Sequence, residues 1–271
     1  MDEIDVYLKE DLGDKGDITS ESLFTDEKAK GKIVCKKNCI VAGLEESKKI
    51  FGKLGVKIKF YFKDGDKINK GAIVAEVSGS ALAILKGERL ALNFIGKMSG
   101  IATETKKIVD KCKEINPNVT IAATRKTTPG FRKFEKKAVE IGGGKPHRFG
   151  LYDAIMIKDN HIKIMGSVEN AVQKIKNKIK VKPIEIEVQN EKEAITVAKL
   201  NVDVIMLDNF TSNNAKLTSE KIRKINPKIL IEISGGVNQK NILDYASFAD
   251  RISLGYLTHS IKSIDFSLEI I

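Results

Sequence analysis

The sequence predicts an α/β protein in two parts: a smaller α+β sandwich of open-faced sheet and helix over residues 1–103, then parallel βα repeats over residues 104–271. Three observations carry this. Early in the chain Ile58, Phe60 and Phe62 alternate with Lys57, Lys59 and Tyr61, the period of a half-buried strand. Beyond residue 115 short apolar runs alternate with amphipathic helical stretches. Charged or polar residues follow those runs, as they do where parallel strands end together on one face of a sheet or barrel.

The bulk composition limits the function classes. A chain of 271 residues with 42% hydrophobic and 31% charged residues can bury a sizeable core, and no apolar run approaches the roughly 18 residues needed to span a bilayer. No membrane partner is expected, and Met1-Asp2-Glu3 lacks a basic, apolar leader, so the expected location is the cytoplasm. A net charge of +11 would suit nucleic acid, but aromatics are 6%, Trp is absent and no nucleic-acid-binding signature occurs. Small acidic substrates explain the charge equally well. Cys35, Cys39 and Cys112 have no second pair or nearby His to complete a zinc site and read as reduced and structural.

In chain order, Leu8–Ser20 ends a short helix in a Gly/Asp loop, which reads as structural because no spaced Asp ladder supports a metal loop. Strands follow over 31–43 and 57–62, with a helix at 45–54 between them, and turns at Asp64-Gly65-Asp66 and Lys70-Gly71 precede a strand at 73–77. Residues 82–97 form an apolar helix that breaks at Ser99-Gly100. Arg89 on that helix either snorkels to solvent or points at an anion. Candidate strands of the second part are 119–123, 154–157, 184–188, 204–207, 229–233 and 251–254, short of the usual eight of a closed α/β barrel. Residues 264–270 alternate again and suit a return to the first sheet.

The most basic stretch runs from Thr124 to His161 and holds two of the three histidines. Arg125 and Lys126 follow one apolar run, His147 and Arg148 follow Gly142-Gly143-Gly144, and Lys158 follows another run, so strand ends would gather these cations into an anion pocket. Arg132, Lys133, Lys136 and Lys137 lie at helical spacing after Pro129 and read as a solvated basic face. Glu185 and Glu187 share a strand face, and Asp208-Asn209 closes the next strand, so these acids would bind a metal or hydroxyls, or else form structural salt bridges. Ser234-Gly235-Gly236 and Leu254-Gly255-Tyr256, with Thr258 and Ser260 beyond, are glycine turns at the last two strand ends and suit a phosphate. A Schiff base on Lys158 is disfavoured, because such a lysine needs an apolar pocket and this one is flanked by Asp159.

From Glu10-Asp11-Leu12-Gly13 through Thr124-Arg125-Lys126-Thr127-Thr128-Pro129-Gly130 and Lys158-Asp159-Asn160-His161 to Gly255-Tyr256-Leu257-Thr258-His259-Ser260, the chain closely resembles the quinolinate phosphoribosyltransferase family. The resemblance implies an incomplete, seven-stranded-type parallel α/β barrel. It further implies transfer of the phosphoribosyl group of phosphoribosyl pyrophosphate (PRPP) to quinolinate with decarboxylation, giving nicotinate mononucleotide, pyrophosphate and CO₂ in NAD biosynthesis. Mg²⁺ would accompany PRPP, held by Glu187 and Asp208, and no redox cofactor is implied. Lys126, Lys158, Glu187 and Asp208 would be catalytic. Substrate would touch these together with Thr124, Arg125, His147 and Arg148, and with the two glycine turns at Ser234, Gly235 and Gly236 and at Leu254, Gly255 and Tyr256. The family motif Glu-Arg-x-x-Leu-Asn, here Glu88 to Asn93, would send Arg89 into a neighbouring subunit's pocket in a homodimer or a hexamer built as a trimer of dimers. Pro146 stands where many members carry Asn, as in a paralogous group associated with molybdate transport.

Overall fold

A computed structural model of the chain describes residues 3–179 and 183–271. The chain opens with helices α1 (Glu3–Leu12) and α2 (Ile18–Leu23), the latter capped by the Asp17 side chain, which accepts from Thr19 and Ser20 N–H. Strands β1 (Lys28–Cys35) and β2 (Cys39–Ile40), helix α3 (Leu44–Lys53) and strands β3 (Lys57–Phe60), β4 (Lys67–Ile68) and β5 (Ile73–Ser80) follow. β1 pairs antiparallel with β5, and β5 with β3, while β2 and β4 make a separate ribbon. The sheet packs on α3 and on the long helix α4 (Ala81–Ile115), because Ile33, Val74, Ile50, Phe51 and Ile84 all turn inward to full burial.

The expected break at Ser99-Gly100 does not occur; α4 runs through it for 35 residues. Ser99 supports the first unit instead, its hydroxyl accepting from Ala42 N–H at 2.9 Å. Gly100 marks a close approach, since a Cβ there would lie 2.3 Å from the Lys262 carbonyl oxygen. Local propensity suggested a stop, and tertiary packing keeps the helix.

Beyond α4 come β6 (Thr120–Ala122) and α5 (Arg132–Ile141). The solvated basic face expected on α5 holds for Lys133, which stays exposed, and is corrected for Lys136. Lys136 is 1% exposed, Lys133 pairs with Glu3, and Lys137 pairs with Glu45 and Glu46. The α5 residue Phe134 meets Phe94 edge to face at 4.9 Å, and Tyr7 at 6.0 Å, so an apolar stripe docks the helix and carries Lys136 inward.

The remainder is βα repetition: β7 (Ile155–Ile157), α6 (Asp159–Met165), α7 (Val168–Lys178), β8 (Ile184–Val188), α8 (Glu191–Ala198), β9 (Val204–Asp208), α9 (Ser212–Ile225), β10 (Leu230–Ser234), α10 (Leu243–Ala246), β11 (Arg251–Ser253) and α11 (Tyr256–His259). Six strands pair in parallel in the order β6-β11-β10-β9-β8-β7, matching the six apolar runs. A seventh segment adds a single parallel bridge at Lys145 beside Ala122, with Lys145 N–H to Ile121 O at 2.8 Å. It goes no further, because Pro146 has no N–H to donate. The sheet is therefore an incomplete α/β barrel. The last strand, β12 (Phe266–Ile270), pairs antiparallel with β1, so the chain's end completes the first sheet in the order β12-β1-β5-β3.

Two compact units result. One comprises Met1–Lys106, Lys133–Gly143 and Ser260–Ile271; the other comprises Lys107–Arg132 and Gly144–His259. The sequence boundary at 103/104 thus falls inside α4, and α5 and the tail join the first unit. Among the described residues no helix is long and apolar enough to cross a membrane.

Candidate active site

Parallel pairing sets the site's levels. Glu187 on β8 and Glu232 on β10 both stand opposite Met206 on β9, while Asp208 stands opposite Ser234 two residues nearer the carboxyl ends. Period-two alternation turns these side chains to one face. They line a cleft of about 790 Å³ in the second unit, which also receives Thr124, Arg125 and Lys126 from beyond β6, His147 and Arg148 from beyond Lys145, and Lys158 from beyond β7.

The cations are held in different ways. Arg148 is 9% exposed; burial, then the nearby Arg125 guanidinium, lower its pKa. Arg125 has a buried Nε without a hydrogen-bond partner in the protein, a donor suited to a carboxylate. Lys158 is the N-cap of α6, and its N–H donates to His161 Nδ1 at 2.9 Å, which gives His161 of the Lys-Asp-Asn-His motif a fixing role at the strand-to-helix turn. Lys158 Nζ pairs with Glu187 Oε2. That polar setting removes the apolar pocket a Schiff-base lysine needs.

The acids divide into two groups. Asp208 lies at the rim, accepting from Asn209 Nδ2 at 2.7 Å and from Gln189 Nε2 at 3.3 Å. Glu185 and Glu232 lie deeper, with Arg251 bonded to both and His147 Nε2 3.3 Å from Glu232 and 3.5 Å from Glu185. Burial resists charge on His147, but the two carboxylates outweigh it and raise its pKa to about 9. An opposing contact, Arg148 N–H to His147 Nδ1 at 2.7 Å, calls for an unprotonated Nδ1. Two buried carboxylates against Nε2 outweigh one backbone N–H against Nδ1, so the pKa stays raised.

The glycine turns close the cleft's other side. Gly235 has φ +75°, and a Cβ there would lie 2.4 Å from Asn209 Oδ1, while Asn209 N–H donates to Ser234 O at 2.9 Å. Asn209 itself takes φ +58°, so the ends of β9 and β10 interlock around backbone that only glycine and asparagine adopt readily. Gly236, Gly255, Tyr256, Asn238 and His259 also line the cleft. Thr258 is buried, and its hydroxyl donates to Lys126 O at 2.6 Å, which ties the two loops together.

Two expected site residues lie elsewhere. Leu254 is 1% exposed and contributes its N–H to Ala122 O at 2.8 Å, a barrel bond. Arg89 belongs to the first unit, where it lines a cavity of about 410 Å³ with Asn93, Lys97 and Asp265. The sequence reading missed Glu232, Asn238, His259 and Arg251. A signal existed for Glu232, a lone acid inside the apolar run Leu-Ile-Glu-Ile-Ser, two residues before Ser234.

Residues 17–99 match the family model for the quinolinate phosphoribosyl transferase N-terminal domain, and residues 101–269 that for the C-terminal domain. A probable nicotinate-nucleotide pyrophosphorylase [carboxylating] of Methanocaldococcus jannaschii is 45% identical, covering 97% of this chain and 94% of that protein. One of Archaeoglobus fulgidus is 43% identical, covering 94% and 98%. The crystal structure of nicotinate-nucleotide pyrophosphorylase from Ehrlichia chaffeensis superposes with a TM-score of 0.93 at 38% identity, covering 99% of this chain and 97% of that one.

Proposed function

The chain belongs to the quinolinate phosphoribosyltransferase family, and we propose that its cleft joins quinolinate to the ribose of PRPP and releases CO₂, making nicotinate mononucleotide for NAD. The observation that carries this is the division of one cleft into a cationic wall, a row of acids that includes Glu187 and Asp208, and two glycine turns. Each part suits one portion of the two substrates.

Quinolinate carries two carboxylates on a pyridine ring. Arg125, Lys126, Arg148 and Lys158 would grip them by charge-assisted bonds, with Arg89 joining from a neighbouring chain. The ring nitrogen attacks the anomeric carbon, and the bond to pyrophosphate breaks as positive charge develops on the sugar. Glu187 and Asp208 favour that charge and hold the ribose hydroxyls. Ser234 to Gly236 and Gly255 to Tyr256 would take the 5-phosphate through backbone N–H groups. The pyridinium then accepts the electron pair left when the adjacent carboxylate departs as CO₂, and the ring carbon takes a proton.

Mg²⁺ fits the acids present. Glu187 and Asp208 offer only oxygen ligands beside a cleft that would hold phosphates, the pattern Mg²⁺ favours, and Gln189 and Asn209 orient Asp208. When bound there it would neutralise the pyrophosphate leaving group. His147 is not needed as a base, because the attacking nitrogen has no proton to lose. A dimeric or hexameric assembly, implied by the family resemblance, and a cytoplasmic location complete the reading.

Incubating the purified protein with quinolinate, PRPP and Mg²⁺ tests the proposal. Mass spectrometry should find nicotinate mononucleotide only when all three are present. No product from folded protein would overturn it.

A further inference from the structure

Below the cation wall, four charged side chains close a ring that the proposed chemistry does not call for. Arg251 on β11 stands in register with Glu232 on β10, and its Nε bonds that carboxylate. Its Nη2 reaches Glu185 Oε2 at 3.0 Å, although β9 and β10 separate β11 from β8 in the sheet. His147 Nε2 completes the ring against both acids. Glu232 is 0% and Glu185 6% exposed. Two carboxylates at that depth carry a desolvation penalty of several kcal/mol, and well-packed apolar side chains of similar volume are often as stable in place of such buried ion pairs. Stability alone therefore does not explain the ring.

A divalent cation does not explain it either. His147, Glu185 and Glu232 have ligand atoms within 4.8 Å of one another, but the Arg251 guanidinium already bonds both carboxylates and would repel a metal ion.

What the ring touches is the backbone that presents the acceptor-binding cations. His147 has φ +53°, a conformation that strains a residue other than glycine by about 1–3 kcal/mol unless its surroundings hold it. A parallel bridge at Lys145 ties the segment to the sheet, and Pro146, which has no N–H, cannot extend that ladder. Yet both His147 and Arg148 line the cleft.

We infer that Arg251, with Glu185 and Glu232, is a positioning residue for acceptor binding: the ring clamps the His147 imidazole and so holds the His147–Arg148 segment in the conformation that turns both side chains to the cleft. Arg251 does not itself line the cleft, so it acts through His147. The inference rests on the proposed function, since it assigns these cations to the dicarboxylate acceptor.

The test compares KM for quinolinate and for PRPP in wild type, Arg251→Met, His147→Asn and the double variant, with melting curves to confirm folding. Arg251→Met should raise KM for quinolinate about tenfold, the loss of one charge-assisted contact, and leave KM for PRPP within about twofold. The double variant should be no worse than the weaker-binding single one, because residues in one network are not additive. Arg251→Lys, which keeps a charge but can reach only one acid, should fall between, and it carries the same comparison if Arg251→Met does not fold. Equal rises in both KM values, no rise in either, or effects of Arg251 and His147 that multiply independently would overturn the inference while leaving the function standing. Absence of mononucleotide with the wild type would overturn both.

Discussion

Lys158 and Glu187, from the ends of the adjacent strands β7 and β8, close an ion pair within the cleft. Under the proposed function the pair must part, Lys158 turning to a substrate carboxylate and Glu187 to the sugar. Glu187→Gln or Asp208→Asn should therefore lower turnover by about 10² or more, comparable to losing one preorganised electrostatic contact, and change quinolinate binding less. Steady-state kinetics at saturating Mg²⁺ check this, and wild-type turnover in both variants would refute the assignment.

Nicotinate has the same ring and lacks the second carboxylate. It leaves part of the wall of Arg125, Lys126, Arg148 and Lys158 unpaired in a partly buried site, and sites built to bind such groups reject analogues lacking them by up to about 10⁴–10⁵. The ratio of kcat/KM for the two acids measures it. Comparable values would show that the second carboxylate is not read.

Arg89 lies in the first unit and Arg125 in the second. If Arg89 serves a partner's cleft, Arg89→Ala and Arg125→Ala chains should each be inactive, yet refolding them together should restore activity. Random mixing makes half the dimers mixed, each with one intact site of two, so recovery should approach roughly a quarter of wild type. Recovery near zero, with mixed dimers shown to be present, would assign Arg89 to its own chain or to the fold.

His147 gives a pH dependence with a definite sign. Its pKa rises from about 6.5 unfolded to about 9 folded, so its stabilising contribution is complete below pH 6.5 and is lost as pH rises through 9. The wild type should lose on the order of 2 kcal/mol more stability across that window than His147→Gln does. Denaturant titrations at pH 6.5 and 9.5 check the difference, and parallel loss in both proteins would refute it.

The parallel strands were legible because each is an apolar run too short for a helix, and the cations were legible because they follow those runs. Lys158 and Arg125 are of this kind. Gly100 was misread because a glycine that admits the Lys262 carbonyl looks the same in sequence as one that ends a helix. Lys136 was misread because charge implied solvent, while the apolar stripe beside it drew α5 inward. Arg251 and Glu232 stayed hidden because their partners come from other strands, and that pairing is set by the order of strands in the sheet. Arg89 could be placed only through family resemblance.

The central claim is that one cleft couples phosphoribosyl transfer to decarboxylation of the acceptor. Quinolinate labelled with ¹³C in the carboxylate beside the ring nitrogen tests it most directly, with pyrophosphate and ¹³CO₂ measured together during turnover with PRPP and Mg²⁺. The account predicts one ¹³CO₂ for each pyrophosphate and an unlabelled nicotinate mononucleotide. Pyrophosphate released without ¹³CO₂, or label retained in the product, would contradict it.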